Sequence, residues 1–405
     1  MNTIKKLTLL SLIAIAFSSC SSDSDSSNNP VLDGKITSLT DADYDPTSLK
    51  GDISADISLP VGEYILDGAL VVKSPFTLTI APGTTFKATP GGTNVYVAVE
   101  QGAKINAAGT AALPITFTSN SGNPRSGDWG GLLIIGKAPI SGGGTATTEV
   151  VNFTYGGTDA ADNSGVLTYV AVKYTGARIN SDKEFNGFTF YAVGSGTTVN
   201  NIASYYGDDD AIEFFGGSVN VSNMLVVNAK DDMLDYTQGF TGTLTNGYGI
   251  RELGFNDATA DPRGIEGDGN FDGLSPTQSG QSNPTMTNFT IVSNSVVALT
   301  DVIKVRRNSG ITLNNFLVKA GSTATIAGDF IDLTDGAGYA ANNAVTINAY
   351  GVAAANLDPL DIKLNTSETA PAVDIPAVTG STINTTTATT GVDTSIFAWT
   401  GYTFN

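Results

Sequence analysis

The sequence predicts an all-β chain wound as a parallel β-helix. Three observations carry this. A segment recurs at intervals near 22 residues, no stretch after about Ile36 shows a helical period, and asparagines and acids fall into columns at the repeat spacing. The repeat starts with "TTVNNIASYY" (Thr197 to Tyr206) and "VNVSNMLVVN" (Val219 to Asn228). It continues in "GTLTNGYGI", "TMTNFTIVSN" and "ITLNNFLVKA". One asparagine precedes each apolar run: Asn201, Asn223, Asn246, Asn288 and Asn315, at intervals of 22, 23, 42 and 27 residues. The longer intervals imply insertions into single coils. Equivalent side chains on successive coils stack at ~4.8 Å. The asparagines are therefore expected to bond one another, with Ile202, Phe289 and Phe316 filling the interior.

In chain order, residues 1–19 read as a signal peptide. Lys5 and Lys6 precede an apolar run from Leu7 to Phe17, too short to span a bilayer, and small residues lead to Cys20. "AFSSC" resembles a bacterial lipoprotein signal, with cleavage before Cys20 and lipid on its thiol. Residues 20–35 contain "SSDSDSSNNP", acidic and without large apolar residues, and read as a disordered tether. An acidic Ser/Asp tract after a lipidated cysteine also resembles the surface-export signal of Bacteroidota lipoproteins. Residues 36–405 read as one β-helix domain with insertions. In it, "GDWGGL" is expected to hold a tight turn with Trp129 packed on glycines. Thr366 to Thr390 is poor in large apolar residues and reads as irregular. Phe397, Trp399, Tyr402 and Phe404 at the end are expected to cap the open end of the solenoid.

Composition narrows the chemistry. The chain has 405 residues, a net charge of −19, no histidine and one cysteine. The charge argues against nucleic acid, which needs a basic surface. The lack of histidine removes Ser-His-Asp and imidazole-zinc chemistry. Any catalysis must use carboxylates, Tyr, Lys, Arg or a metal held by oxygen.

The acids repeat as the asparagines do. "GDDDAIEFF" and "AKDDMLDYT" place Asp209 over Asp231, Asp210 over Asp232 and Glu213 over Asp235. The last column extends to Glu266, Lys304 and Asp332. Flanking Ile212, Leu234, Ile265, Ile303 and Ile331 should point inward, so the acids point out. Six clustered carboxylates must raise some pKa values or recruit a cation. Three readings stand: solvated turn acids; a Ca²⁺ site of Asp209, Asp210, Glu213, Asp231, Asp232 and Asp235; or a catalytic carboxylate pair drawn from Asp209, Asp210, Asp231 and Asp232. In a lyase variant the acids hold Ca²⁺ against a uronic acid and Lys304, Arg306 or Arg307 is the base. The alternative for "KVRR" is a salt-bridge ladder with the acid column. Among the neighbouring aromatics, Tyr205, Tyr206, Phe214, Phe215 and Tyr236, alternate residues face outward. Tyr206 and Tyr236 are the candidates for ligand binding.

The runs "LTIAPGTTF", "VEQGAKINAAGT", "PITFTS", "GDWGGLLIIGKAPI", "DDAIEFFGG" and "DPRGIEGD" resemble those of a group of right-handed parallel β-helix lipoproteins of Bacteroidota. The matches span about Tyr64 to Gly310; "AIEFFGG" stands where the group carries runs like "GIEFFGG". The resemblance implies the handedness and a cell-surface place, and no activity. The expected protein is an outer-membrane lipoprotein facing the exterior, anchored through Cys20. It binds a glycan or a partner such as an outer-membrane transport complex, with Ca²⁺ as its one candidate cofactor. The alternative is a glycan-active enzyme, a hydrolase or lyase. An enzyme should show carboxylates in a cleft, a binding protein a flat or metal-filled patch.

Overall fold

The computed structural model describes residues 32–180, 183–270, 277–321, 329–333, 340–341, 345–352, 362–363, 382–384 and 391–404. The leader, Cys20 and the tether as far as residue 31 lie outside them, as does most of 366–390. Within that last span Thr382–Asn384 is a strand, paired in parallel with Val345–Val352.

From Leu32 onward the described chain is a parallel β-helix whose coils stack in register. Each coil supplies three faces. The first and second faces are the two halves of one long strand in the middle coils: Gly165–Lys173, Thr198–Tyr205, Asn220–Val227, Thr243–Arg251, Thr285–Ser293 and Ile311–Ala320. The third face is built from Val97–Val99, Leu132–Ile135, Phe188–Tyr191, Ile212–Phe215, Asp235–Thr237, Arg263–Asp268, Asp301–Arg306 and Ile331–Asp332.

The asparagine column is the corner between the first two faces. Asn201, Asn223, Asn246, Asn288 and Asn315 all have φ between 53° and 60°. This left-handed region costs an ordinary residue about 1–2 kcal/mol and is visited readily by asparagine. Each amide then donates to the one before it. Asn223 Nδ2 reaches Asn201 Oδ1 at 3.1 Å, Asn246 reaches Asn223 at 2.9 Å, Asn288 reaches Asn246 at 3.2 Å and Asn315 reaches Asn288 at 2.8 Å. Tyr169 occupies the same corner one coil earlier, at φ 52°.

Inward residues form columns too. Ile202, Met224, Phe289 and Phe316 lie in the core, as do Ile212, Leu234, Ile265, Ile303 and Ile331. Phe190, Phe214 and Phe240 stack at 5.1 and 4.4 Å between centroids. Each such side chain contributes ~1.5–3 kcal/mol through burial. Trp129 is fully buried and donates its Nε1–H to Lys173 O at 2.8 Å.

The C-terminal aromatics do not cap the open end. The 3₁₀ helix Thr394–Thr400 and Tyr402 to Phe404 lie along the outer side of the second face. There they cover Ala171, Ala203, Leu225, Tyr248 and Val292. The outward positions of these coils are apolar, so this lateral surface needs covering.

Candidate functional site

The outward column of the third face forms the floor of the site. In register, Glu213 pairs with Asp235, Asp235 with Glu266, Glu266 with Lys304 and Lys304 with Asp332. Period two sends the core residues inward and these side chains away from the core. They do not form a flat patch. Insertions rise around them and enclose a cavity of ≈ 610 Å³.

Three insertions wall it. The hairpin Arg178–Asn180 with Lys183–Glu184 contributes Arg178 and Glu184. The excursion after Leu132–Ile135 carries the hairpin Ala146–Thr147 with Thr154–Tyr155, and Glu149 lies in its loop. The loop before Arg263–Asp268 contributes Asp257 to Asp261. Turns entering the third face add Asp208, Asp209 and Asp210 from one coil and Lys230, Asp231 and Asp232 from the next. Twelve carboxylates and two cations line the cavity. A second cavity of ≈ 380 Å³ shares Glu149, Glu213 and Asp235 with the first and adds Tyr155, Phe215, Gln238 and Arg306.

Both cations are engaged at the rim. Arg178 meets Glu184 at 3.1 Å, Asp208 at 2.9 Å and Asp209 at 3.0 Å. Lys230 meets Asp208 at 2.6 Å and Asp257 at 2.7 Å. Deeper in, Glu266 pairs with Arg263 at 2.7 Å and with Arg306, and the other acids rely on hydrogen bonds. Asp210 Oδ1 accepts from the backbone N–H of Asp232 at 2.9 Å, and Asp232 Oδ1 accepts from that of Arg263. Asn186 Nδ2 donates to Glu213, and Thr259 Oγ1 donates to Asp231 at 2.7 Å. Asp235 Oδ1 is withdrawn from solvent and has no hydrogen-bond donor among the described residues.

Burial and like charge together disfavour ionisation here. Desolvation pushes Asp210 and Glu213 well up, and Asp232 and Asp235 facing them push further. Asp232 and Asp235 are raised by burial and then by Glu266. Asp209 is raised by burial, against the pull of Arg178. Glu149 is pushed up to about 7 by burial and by Glu184.

The same oxygens suit a hard cation. One carboxylate oxygen each from Asp209, Asp210 and Asp231 lie within 4.8 Å of one another, as do those of Asp210, Glu213 and Asp235. Oxygens sharing one Ca²⁺ at 2.3–2.6 Å are at most about 5 Å apart. Asp301, Asp329 and Asp332 form a third such trio, with Lys304 and Arg263 paired into it.

All six sequence-predicted metal candidates, Asp209, Asp210, Glu213, Asp231, Asp232 and Asp235, line this cavity. The other candidates do not. Lys304 is 5 % exposed, lies outside both cavities and pairs with Asp332 at 2.8 Å, so the expectation of a basic catalyst there is corrected. Arg306 pairs with Glu266 and with Asp268 at 2.7 Å, and Arg307 with Asp268. The "KVRR" run is a salt-bridge ladder. Tyr236 is fully buried beside Phe240 and cannot meet a ligand, because its neighbour Asp235 takes the outward position. Tyr206 lies at the following corner, stacked on Tyr174 and outside the cavity lining. The wall residues Glu149, Arg178, Glu184, Asp257 and Asp261 were not anticipated, since their insertions carry no repeat. Asp208 and Lys230 adjoin the two Asp-Asp pairs and were within reach of the sequence.

The arrangement defines a parallel β-helix with an acid-lined cavity on one face. The chain belongs to the pectate-lyase-like β-helix domain family, whose model matches residues 51–403. No curated protein matches the sequence. Among solved structures it is similar to the catalytic domain of a GH87 α-1,3-glucanase in complex with tetrasaccharides. That match is 14 % identical, covers 84 % of this chain and 68 % of that chain, and has a TM-score of 0.33.

Proposed function

We propose that the protein is a ligand-binding β-helix that takes a glycan into the acid cavity together with a divalent cation, for which Ca²⁺ has the right ligand chemistry. In this reading lipid on Cys20 holds it at the outer membrane, facing outward, where a transport complex for glycans is a fitting partner.

One observation carries the cavity reading. Downstream the column alternates acid and base, Glu266, Lys304, Asp332, so the fold supplies a counter-charge where only structure is at stake. Upstream, Glu213 and Asp235 stand in succession with no base of the column between them, and Glu266, which follows, is held by Arg263 and Arg306. Carboxylates left in that state stabilise a bound cation more than they stabilise the fold. The cation would neutralise the floor and accept sugar hydroxyls, while free carboxylate oxygens accept hydrogen bonds from others. A glycan array read in CaCl₂ and in EDTA tests this. Retention of a glycan in calcium alone supports the reading, and identical patterns with and without calcium contradict it.

A second reading, a glycan-active enzyme, is favoured by the raised pKa values of Asp210 and Glu213. A carboxyl held protonated near neutral pH can act as a general acid beside an ionised neighbour. Release of reducing ends or unsaturated products, lost in Asp210→Asn, would replace binding by catalysis.

A further inference from the structure

A second outward column runs beside the acid floor. Period two turns Ile135, Tyr191, Phe215 and Thr237 outward in register on successive coils, and Asp268 with Arg306 continues the column. The apolar members are covered by the hairpin Ala146–Thr147 with Thr154–Tyr155: Ile135, Tyr191 and Phe215 share one buried cluster with Tyr155, and Phe153 packs on it. Where the column turns polar, at Thr237, the cavity of ≈ 380 Å³ opens. Ligand pockets run from about 300 to 1,000 Å³, so this is the volume of a binding site. Its lining differs from that of the acid cavity. Its one cation, Arg306, is held by Glu266 and Asp268, and Asp268 also by Arg307, so this end is compensated. Gln238 stands at the corner after Asp235–Thr237, at φ 56°. Its Oε1 accepts from the Tyr155 hydroxyl, and no acceptor among the described residues takes its Nε2 hydrogens. Thr147 and Thr237 add hydroxyls and Phe215 an apolar edge. Glu149, Glu213 and Asp235 stand on the border shared with the acid cavity.

We propose that this second cavity is a subsite for an uncharged sugar ring, and that the glycan of the acid cavity is an oligosaccharide whose adjoining ring is neutral. The inference rests on the reading of the acid cavity as a glycan site. The two cavities meet along Glu149, Glu213 and Asp235, so one molecule reaches both. A neutral pyranose offers hydroxyls that donate to these border carboxylates and accept from the Gln238 amide, and C–H surface for the Phe215 edge. An anionic ring would face the same carboxylates with no base left to receive it, because Arg306 is already paired. A single ring held at the cation leaves the groups of the second cavity to water. A second ring takes the place of that water, so chain length and the charge of the adjoining ring set the affinity.

The test is a glycan array read with the full chain in CaCl₂ over a range of protein concentrations. The array carries neutral sugars and uronic acids as single rings, as pairs and as triplets, mixed pairs included. The retained glycans should contain two or more rings, at least one of them neutral, and should bind about tenfold more tightly than their single rings, which corresponds to ~1.4 kcal/mol. Gln238→Met with Tyr155→Phe removes the amide and its hydroxyl donor together and leaves neither unpaired. It should bring pairs to within about twofold of single rings. Thr147→Trp, at the exposed rim, should do the same by filling the cavity. Both variants should keep the wild-type stabilisation by calcium, since none of the three residues lines the acid cavity. Single rings retained as tightly as pairs, retention of wholly anionic glycans alone, an unchanged length advantage in both variants, or no retained glycan would each overturn the proposal. Calcium melts of the same samples separate the two readings. A calcium response without a length advantage sinks this inference and spares the cation site; a length advantage that persists in EDTA does the reverse.

Discussion

Glu213 lies directly beside Asp235 on the next coil, the two strands in register, with both side chains on the outer side of the third face. A third acid, Glu266, follows before the first lysine of the column. Like charges at the spacing of a β-ladder are destabilising when both ionise. The pair therefore persists through protonation or through a cation, and each leaves a measurable trace.

The first trace is in pH. Asp210, Glu213, Asp232 and Asp235 have folded pKa values above their unfolded ones, and Glu149 is raised from 4.5 to about 7. The folded state then holds more protons than the unfolded one, so stability falls as pH rises. The loss should begin near the unfolded values and continue beyond neutrality. Asp41 and Asp45 are lowered and act below 3.8, outside this window. In EDTA, denaturant melts at pH 5 should show greater stability than melts at pH 7.5. Asp235→Asn should flatten the slope; a slope of opposite sign would refute the account of the cavity.

The asparagine corner makes a separate prediction. Asn246→Ala should cost about 1–3 kcal/mol, from half-buried amide partners left unpaired and from a left-handed backbone that alanine resists. Asn246→Gly relieves the backbone alone and should cost less. Equal costs would mean that the left-handed backbone contributes nothing, and an Asn246→Gly protein as stable as the wild type would mean that the amide ladder contributes nothing.

Much of this fold was legible because the repeat fixes it. The column from Glu213 through Asp332 could be aligned by pattern, and the observed register matches at each step. Tyr236 was misjudged although the signal existed: if Leu234 is inward, period two sends Tyr236 inward as well. The cavity itself was not legible. Its walls come from insertions such as that around Glu149, whose side chains are placed by packing and not by a period. Nor does a run of aromatics state which surface it covers, so the segment from Phe397 to Phe404 was assigned to the end of the helix rather than to its side.

That segment yields the next prediction. Phe397 is fully buried against the outer side of the second face. Phe397→Ala should cost about 3–5 kcal/mol. It should also raise binding of a hydrophobic dye, as Leu225 and Tyr248 are uncovered. A loss below about 1 kcal/mol, the scale of an ordinary surface substitution, would show the contact to be dispensable.

Lys304 distinguishes structural from functional charge. It is buried with Asp332, so Lys304→Met should cost about 3–5 kcal/mol by leaving a buried acid without its ammonium. Lys304→Met with Asp332→Leu should recover most of the loss. Neither should alter calcium binding, because Lys304 lies outside the cavity. A Lys304→Met protein that folds normally but no longer responds to calcium would move the site.

The central claim is that the trio Asp210, Glu213 and Asp235 holds a cation. Thermal unfolding of the full chain at pH 7.5, with CaCl₂ or with EDTA, tests it most directly. At ~100 times its dissociation constant, calcium should stabilise the protein by roughly 2.7 kcal/mol. The double variant Asp210→Asn with Asp235→Asn should lose that response and melt higher than the wild type in EDTA, its repulsion removed. If calcium leaves the wild-type melting temperature unchanged, the column is a repulsive ladder that the fold tolerates, and the claim fails.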